Sequence, residues 1–537
     1  MRTAKSASRP MWASGLALPA DVARERYAAL GGYTAGSTTR RSLTRYQPRS
    51  VDADAAYLPV QSTMIARGRD MVRNIPLAAG AIQRQVTYQL GEGLRLQSRP
   101  LAWALGLSAD EAATWSRHTE AEYRIWAGSV ECDVGREMTF ADIQRLSLRS
   151  ALESGDCLVL PAMFERPGSP YEFKLQVIEA DRISNPGGKP DTLTLTAGVT
   201  KDNNGAPTGY WINPEHPGSR VGRRSRLGDP NRGWRRVDAF GSRTGRRLAL
   251  HLYEKLRPGQ TRGVPVLAPV VEMLRNLGTY TDAEVEAAVN AAFYTVFVKS
   301  DPMYGDGDLA PVAPSDEVGG ATTDEDYKVA SAMMIELGEG QSIETPTPGR
   351  PNSGFHPFVL AVIEQIGAAL EVPAELLIQR FSSSFSASQA AMLEAWRATV
   401  ARRAWFVRQF CAPVFETWLT EAVALGRIDA PGFLDGDPLV RAAWLNHAWI
   451  GPPRSHIRPD ISVNASKALI DARLSTHTRE SMDLTGQDWD TEVAPRLAVE
   501  NQALVDTVPA TTASSASARA PAEIPDTRRD DEGDEGT

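Results

Sequence analysis

Between Ser62 and Gly91 the apolar positions recur at helical spacing, first Met64, Ile65, Met71 and Val72, then through RNIPLAAGAIQRQVTYQLG. Pro76 sits where a second helix can start, because its missing N–H costs nothing in a first turn, and Gly91 is placed to end it. The spacing predicts two short helices joined near Asn74. Further helices are predicted over Ser108 to Trp126 and Phe140 to Ser154. After Gly155 the pattern changes to short runs rich in β-formers: CLVLPAMF, YEFKLQVIEA, LTLTAGVT and TGYWINP. Pro, Gly and Asn-Gly punctuate them, which predicts a β-rich region of roughly a hundred residues closing at RLALHLYEK.

Pro265 and Pro269 then open a long helix whose apolar positions Val270, Leu274, Leu277, Val285, Val289 and Ala292 step by three and four. Strand candidates follow at YTVFVK and AMMIEL. A second helix, HPFVLAVIEQIGAALE, is expected to end at Val372-Pro373, since proline disfavours helical geometry in the residue before it. LLIQRFSSSFSAS carries no helical stripe and reads as a loop. Ser386-x-x-Gln389 has the form of a capping box for the next helix. Leu393, Trp396, Val400, Ala404, Val407, Phe410, Val414 and Trp418 give that helix a long stripe, which Pro413 is expected to kink. A smaller helical domain is expected beyond Gly426, to about Leu504. Residues 1–60 lack periodicity and read as an arm, and residues 508–537, almost without aliphatic side chains, read as disordered.

With 537 residues the chain exceeds one hydrophobic core, and its composition is that of a soluble globular protein. No run of eighteen apolar residues occurs, and the amino terminus is too broken by charge for a signal peptide's apolar core, so no membrane partner is expected. Cys132, Cys157 and Cys411 have neither disulfide-framework nor zinc spacing. The net charge of −8 hides segregated blocks. Residues 1–50 hold nine basic and two acidic residues, residues 219–247 ten arginines and two aspartates, and residues 300–345 eleven acidic residues and one lysine. The arginine-rich block reads as a phosphate-holding patch, a solvated hairpin insertion or a patch meeting an acidic partner protein.

The chain contains no GxxxxGK[ST], HExxH or GxSxG, and its seven histidines show no metal-ligand spacing. Asp306-Gly307-Asp308 and Asp435-Gly436-Asp437 are fragments of calcium loops without the full ligand series and read as turns. No catalytic residue, metal or cofactor is predicted. Trp115, Trp126, Trp396, Trp405 and Trp418 fall on predicted helices and read as core or subunit contact.

Several strings together resemble the phage portal proteins of the lambda family, over about Arg67 to Leu504. They are RGRDMVRNIPLAAGAI, ECDVGREMTFADIQRLSLRSALESGDCLVL, LQVIEADRISNP, GVTKDNNGAPTGYWINPEHP, and the stretch from LALHLYEKLRPGQTRG to VEAAVNAA. FHPFVLAVIEQIGAALEVPAELL, SFSASQAAMLEAWR and FCAPVFETWLTEAVALGRI complete the series. No single piece is diagnostic; their joint order and spacing are. The chain departs from the family at Gln389, where an arginine is usual, and at Arg458 to Ser462, where an Asp-Pro-Lys-Glu-like string is usual.

The resemblance implies a non-enzymatic α+β portal fold of wing, stem, clip and crown. It implies a ring, typically of twelve copies, at one capsid vertex, around a passage for double-stranded DNA. Implied partners are the major capsid protein and scaffold, the large terminase and the head–tail adaptor, with assembly in the host bacterial cytoplasm. The implied division is an arm at 1–60, wing at 61–264, first stem helix at 265–296, clip at 297–350, and second stem helix at 351–378. The tunnel loop with the long wing helix follows at 379–425, a crown-like unit at 426–507 and the tail at 508–537. The tunnel loop places Arg380, Phe381, Ser382, Ser383, Ser384 and Phe385 at the channel, with Phe381 and Phe385 expected to anchor its ends on the helices. The alternatives are a DNA-processing head enzyme, which the missing phosphate-binding loop opposes, and a tail structural protein.

Overall fold

The computed structural model describes residues 35, 40–219, 233–292, 297–300, 341–344, 354–381, 384–454 and 458–507. Most of residues 1–50, most of the expected clip and the whole expected tail therefore lie outside the described residues.

The expected arm ends earlier than residue 60. Asp52 caps a short helix α1 (Ala53–Tyr57) by accepting from the Ala55 N–H, and Ala53 and Tyr57 are buried. Asp54 holds this helix to the body, accepting from the backbone N–H of Thr261 at 2.8 Å and from its hydroxyl, and pairing with Lys201 at 3.5 Å. The periodic segment that follows forms α2 (Gln61–Asn74) and α3 (Pro76–Leu90), with Pro76 in the first turn and Gly91 at φ 56° closing the second. Strand β1 (Arg95–Ser98), a short α4 (Ala102–Leu105), α5 (Ala109–Ala127) and α6 (Phe140–Ser154) come next. Ser108 with Glu111, and Thr139 with Asp142, form reciprocal capping boxes that start α5 and α6, satisfying donors a bare helix end would leave open.

The β-rich region is two antiparallel sheets. One has the order β3-β2-β8, from β2 (Cys157–Met163), β3 (Phe173–Glu179) and β8 (Leu250–Leu252). The other runs β4-β5-β6-β7, from β4 (Leu195–Thr196), β5 (Val199–Lys201), β6 (Pro207–Ile212) and β7 (Arg235–Asp238). β6 and β7 pair antiparallel, so residues 219–234 of the arginine-rich block lie between hairpin neighbours in the chain, and the rest of the block runs through β7 to Arg247.

The two long helices are α7 (Val271–Ala292) and α8 (Phe355–Leu370). Tyr280 of α7 lies against Phe355 and Phe358 of α8, with ring centroids 5.5 and 5.2 Å apart. Between the helices β9 (Phe297–Ser300) pairs antiparallel with β10 (Gln341–Glu344). YTVFVK thus yields a strand; AMMIEL lies outside the described residues.

A short α9 (Ala374–Ile378) precedes α10 (Phe385–Phe406), a single wide turn over Val407–Cys411, and α11 (Ala412–Ala424). The expected kink is this wide turn: Pro413 has no N–H to offer Gln409, and the Ala412 N–H bonds back five residues to Val407 instead. Only the second half of the predicted stripe is core. Phe410, Val414 and Trp418 are wholly buried, whereas Leu393 and Val400 on α10 are exposed.

The smaller domain expected beyond Gly426 does not begin there. Ile428, Ala430, Phe433 and Trp444 join the main core with Trp126, Phe140, Phe173 and Trp418. After α12 (Pro438–Trp444), β11 (His447–Ile450) pairs with β1 across some 350 residues of chain. The last described helices are α13 (Pro459–Asp471), α14 (His477–Thr485) and α15 (Ala494–Thr507). Of the five tryptophans read as core, Trp126 and Trp418 are fully so, while Trp115 stacks obliquely on Trp444 at 4.6 Å.

Candidate functional site

The segment between α8 and α10 is built to display a short loop from fixed ends. α8 stops where Glu371 turns left-handed (φ 55°), and Pro373 opens α9, which stops at Gln379, also left-handed (φ 54°). The N–H groups of Gln379 and Arg380 both return to the Glu375 carbonyl, so the chain leaves α9 along one defined path. Leu376 and Leu377 bury under this turn with Ile366, Leu370, Ala78 and Ile82. LLI of the expected loop is therefore helix, held by its leucines.

On the far side α10 begins two residues earlier than its sequence suggests. The cap is Ser384, whose hydroxyl accepts from the Ala387 N–H, and not Ser386 with Gln389. Three serines in a row give the helix a choice of cap, and the serine chosen decides how short the loop is. Arg380, Phe381 and Ser384 are exposed, and Ser382 and Ser383 lie outside the described residues. Phe381 at 56% exposure does not anchor the loop by packing on the helices; the buried leucines of α9 hold that end instead. Phe385 opens α10.

The base of the loop is cross-braced by two adjacent arginines of α10. Arg402 pairs with Glu371 at 3.0 Å and donates to Gln85, whose amide in turn donates to the Leu370 carbonyl that α8 leaves open. Arg403 donates to the carbonyls of Gln89, Tyr88 and Pro452, closing the end of α3. Burial pushes the Arg403 guanidinium down to about 10, so it remains charged at neutral pH. Gly367 completes the corner: a Cβ there would lie 2.5 Å from the Val372 carbonyl oxygen.

A buried ionic cluster, which sequence reasoning did not anticipate, ties the two sheets to each other. Arg262 uses all five donors, two on Asp156 and one each on the carbonyls of Ala180, Ile183 and Ala197. His251 lies 3.1 Å from Asp156, and because a carboxylate can only accept, its Nε2 carries the proton. Burial pushes His251 down, and it stays neutral beside the cation. Burial alone would raise Asp156, yet the guanidinium and both hydrogen-bond donors hold its carboxyl well below the usual range. The only hint in the sequence is a charged residue at the edge of an apolar run, as in GDCLVL; its partner stands 106 residues away.

The described part of the arginine-rich block is a solvated edge. Arg235 and Arg236 are exposed on β7, Arg236 pairs with Asp238 at 2.6 Å, and Arg247 reaches Gln409 at 3.4 Å.

Residues 39–403 match the phage portal protein family of the lambda type, and the chain belongs to that family. It is a phage portal protein, a structural component of the virion head. Portal protein B of Escherichia phage lambda is 27% identical over 84% of this chain and 86% of its own length. The portal protein of Escherichia phage N15 is 27% identical over 82% and 84%. Among solved structures, a chain of the neck of a native gene transfer agent particle, computed with C12 symmetry, aligns at TM-score 0.40. It shares 14% identity over 80% of this chain and 95% of that one. A chain from the virion of a native gene transfer agent particle aligns at TM-score 0.41, also at 14% identity, over 80% and 94%.

Proposed function

We propose that copies of this chain close into a ring, twelvefold as the family resemblance implies, around a passage for double-stranded DNA at one vertex of the head. Within it, 61–264 is most of the wing, α7 and α8 are the stem pair, 297–350 is the clip, and 426–507 is crown-like. The ring acts without catalysis, as a conduit for packaging and ejection and as a dock for the large terminase, head–tail adaptor, capsid protein and scaffold. It assembles in the host bacterial cytoplasm.

The observation that carries this reading is that Arg380, Phe381 and Ser384, the described residues of the segment between α9 and α10, are exposed beside helices braced by Arg402, Arg403 and Gly367. A rigid frame offering a short polar loop suits a constriction that touches DNA without gripping it, because serine hydroxyls offer hydrogen bonds without fixed charge. Val285 and Val289 of α7, 59% and 51% exposed in the single chain, supply apolar surface for a neighbouring copy to cover.

Electron microscopy of the purified protein tests the proposal. End-on views are expected to show closed rings with a bore that admits a duplex. Monomers or open filaments would overturn it, since only a closing rotation makes a ring.

A further inference from the structure

We propose that residues 458–507 form a separately docked unit whose hold on the β1–β11 ribbon depends on the charge of a carboxylate pair, Glu120 and Asp488, at the seam. The hold is firm when the pair carries a proton and weakened when both are ionised.

Three observations lead there. First, among the described residues none of the three hydrophobic cores contains a residue beyond Trp449. Helices α13 to α15 are tied to one another by the hydrogen bond from Ser466 to Glu480 and by the stacking of His477 on Trp489 at 4.8 Å. About fifty residues without a core of their own gain their order from what they dock against.

Second, the docking contacts are polar and few. Arg95 donates to Glu492 at 2.7 Å and to the Gly486 carbonyl, and Gln97 donates to Asp488. Gly486 sits on Pro453, where a Cβ would come within 2.9 Å of the ring.

Third, the seam buries two acids on the wall of one cavity. Ser98, next to Gln97 on β1, donates its N–H to Glu120 at 2.8 Å, so successive β1 residues hold the two carboxylates. Glu120 and Asp488 are 6% and 4% exposed, at the wall of a cavity of about 770 Å³. The other charged groups on that wall are Glu92, Arg95, Arg124 and Glu492, and Arg99 acts on Glu120 from the end of β1. Arg95 is already committed to Glu492. Burial, with the Asp488 charge adding to it and the Ser98 bond opposing, raises Glu120 to about 7.

By linkage, the part of this rise that docking supplies, the Asp488 charge and the cover of residues 485–488, favours docking below that value, and the advantage fades as pH rises through it. Between pH 6 and pH 8 the docking equilibrium is expected to weaken, by about tenfold at most.

Hydrogen exchange on the full-length protein, corrected for intrinsic rates, reads this directly in α13 to α15. Protection is expected to be lower at pH 8 than at pH 6, by about tenfold at most. Glu120→Gln, which keeps the acceptor for Ser98 but cannot ionise, is expected to hold the pH 6 level at both values. Asp488→Asn loses one acceptor, on Gln97 or on the Asp490 and Thr491 N–H groups, so its absolute protection shifts at both pH values, but by removing the second charge it is expected to shrink the difference between pH 6 and pH 8. Equal wild-type protection at the two pH values, a pH dependence that survives in Glu120→Gln, or an undiminished pH dependence in Asp488→Asn would each overturn the proposal.

Discussion

Arg262 has nowhere else to put its charge, and among the described residues Asp156 has no other cation. Replacing Arg262 with Met keeps most of the volume and leaves the carboxylate buried and unpaired, a change expected to cost about 3–5 kcal/mol. In the wild type both Asp156 and His251 are lowered by folding, so their contributions are complete above their unfolded values. His251's share is lost as pH falls below about 6.5, and Asp156's below about 4. In the variant Asp156 escapes its penalty by taking a proton, so the gap in melting temperature between the two proteins is expected to narrow from pH 8 to pH 4. A gap that stays constant across that range would contradict the assignment of the loss to Asp156. At the loop, Ser382, Ser383 and Ser384 replaced together by Asp are expected to leave ring assembly unchanged. An aspartate in place of Ser384 caps α10 as well as the serine does, and its charge suits a helix start. Repulsion of phosphates in the bore is expected to reduce DNA-filled heads by about tenfold or more. Normal yields of full heads would place the loop away from the DNA.

Among the elements, the α8–α9 corner decides where the loop stands. Gly367→Ala puts a methyl group against the Val372 carbonyl, and the corner must open or shift, at about 1–3 kcal/mol. The expected signs are a lower melting temperature and faster trypsin cleavage after Arg380, whose backbone N–H is otherwise tied to Glu375. Cleavage at the wild-type rate would show that the corner is not what restrains the loop. The wide turn before Pro413 acts at the same scale. It divides one long helix into an exposed first half and a buried second half, so a single stripe of sequence serves two surroundings.

For the whole molecule, the acidic block between α7 and α8 is the part most marked by charge, with eleven acidic residues and one lysine over residues 300–345. Placed as a clip, it invites a basic partner and repels DNA. Hydrogen exchange with and without the head–tail adaptor is expected to show new protection across this block. Unchanged exchange would remove it from the adaptor interface.

The local pattern of the chain was enough to determine most helices. Pro76 and the spacing of apolar residues act within a few positions, so α3, α5 and α6 fall where that pattern predicts, and the Ser108 and Thr139 caps are equally local. The alternation after Gly155 was likewise enough to place β2, β3 and β6. Family membership was legible too, because it rests on ordered strings, while the segment between α9 and α10 was legible only as a stretch without periodicity. Three things were decided by tertiary contact alone. Ser384 rather than Ser386 caps α10; both serines were chemically eligible, and the buried α9 leucines hold the preceding end of the loop. The chain from Ile428 to Ile450 belongs to the main core because β11 pairs with β1, and strand pairing over that distance leaves no local trace. Arg262, Asp156 and His251 meet because the start of β2, the end of β3, β8 and the β4–β5 turn come together there, and a buried charge is stable only where folding brings its partner, a condition that no window of sequence contains.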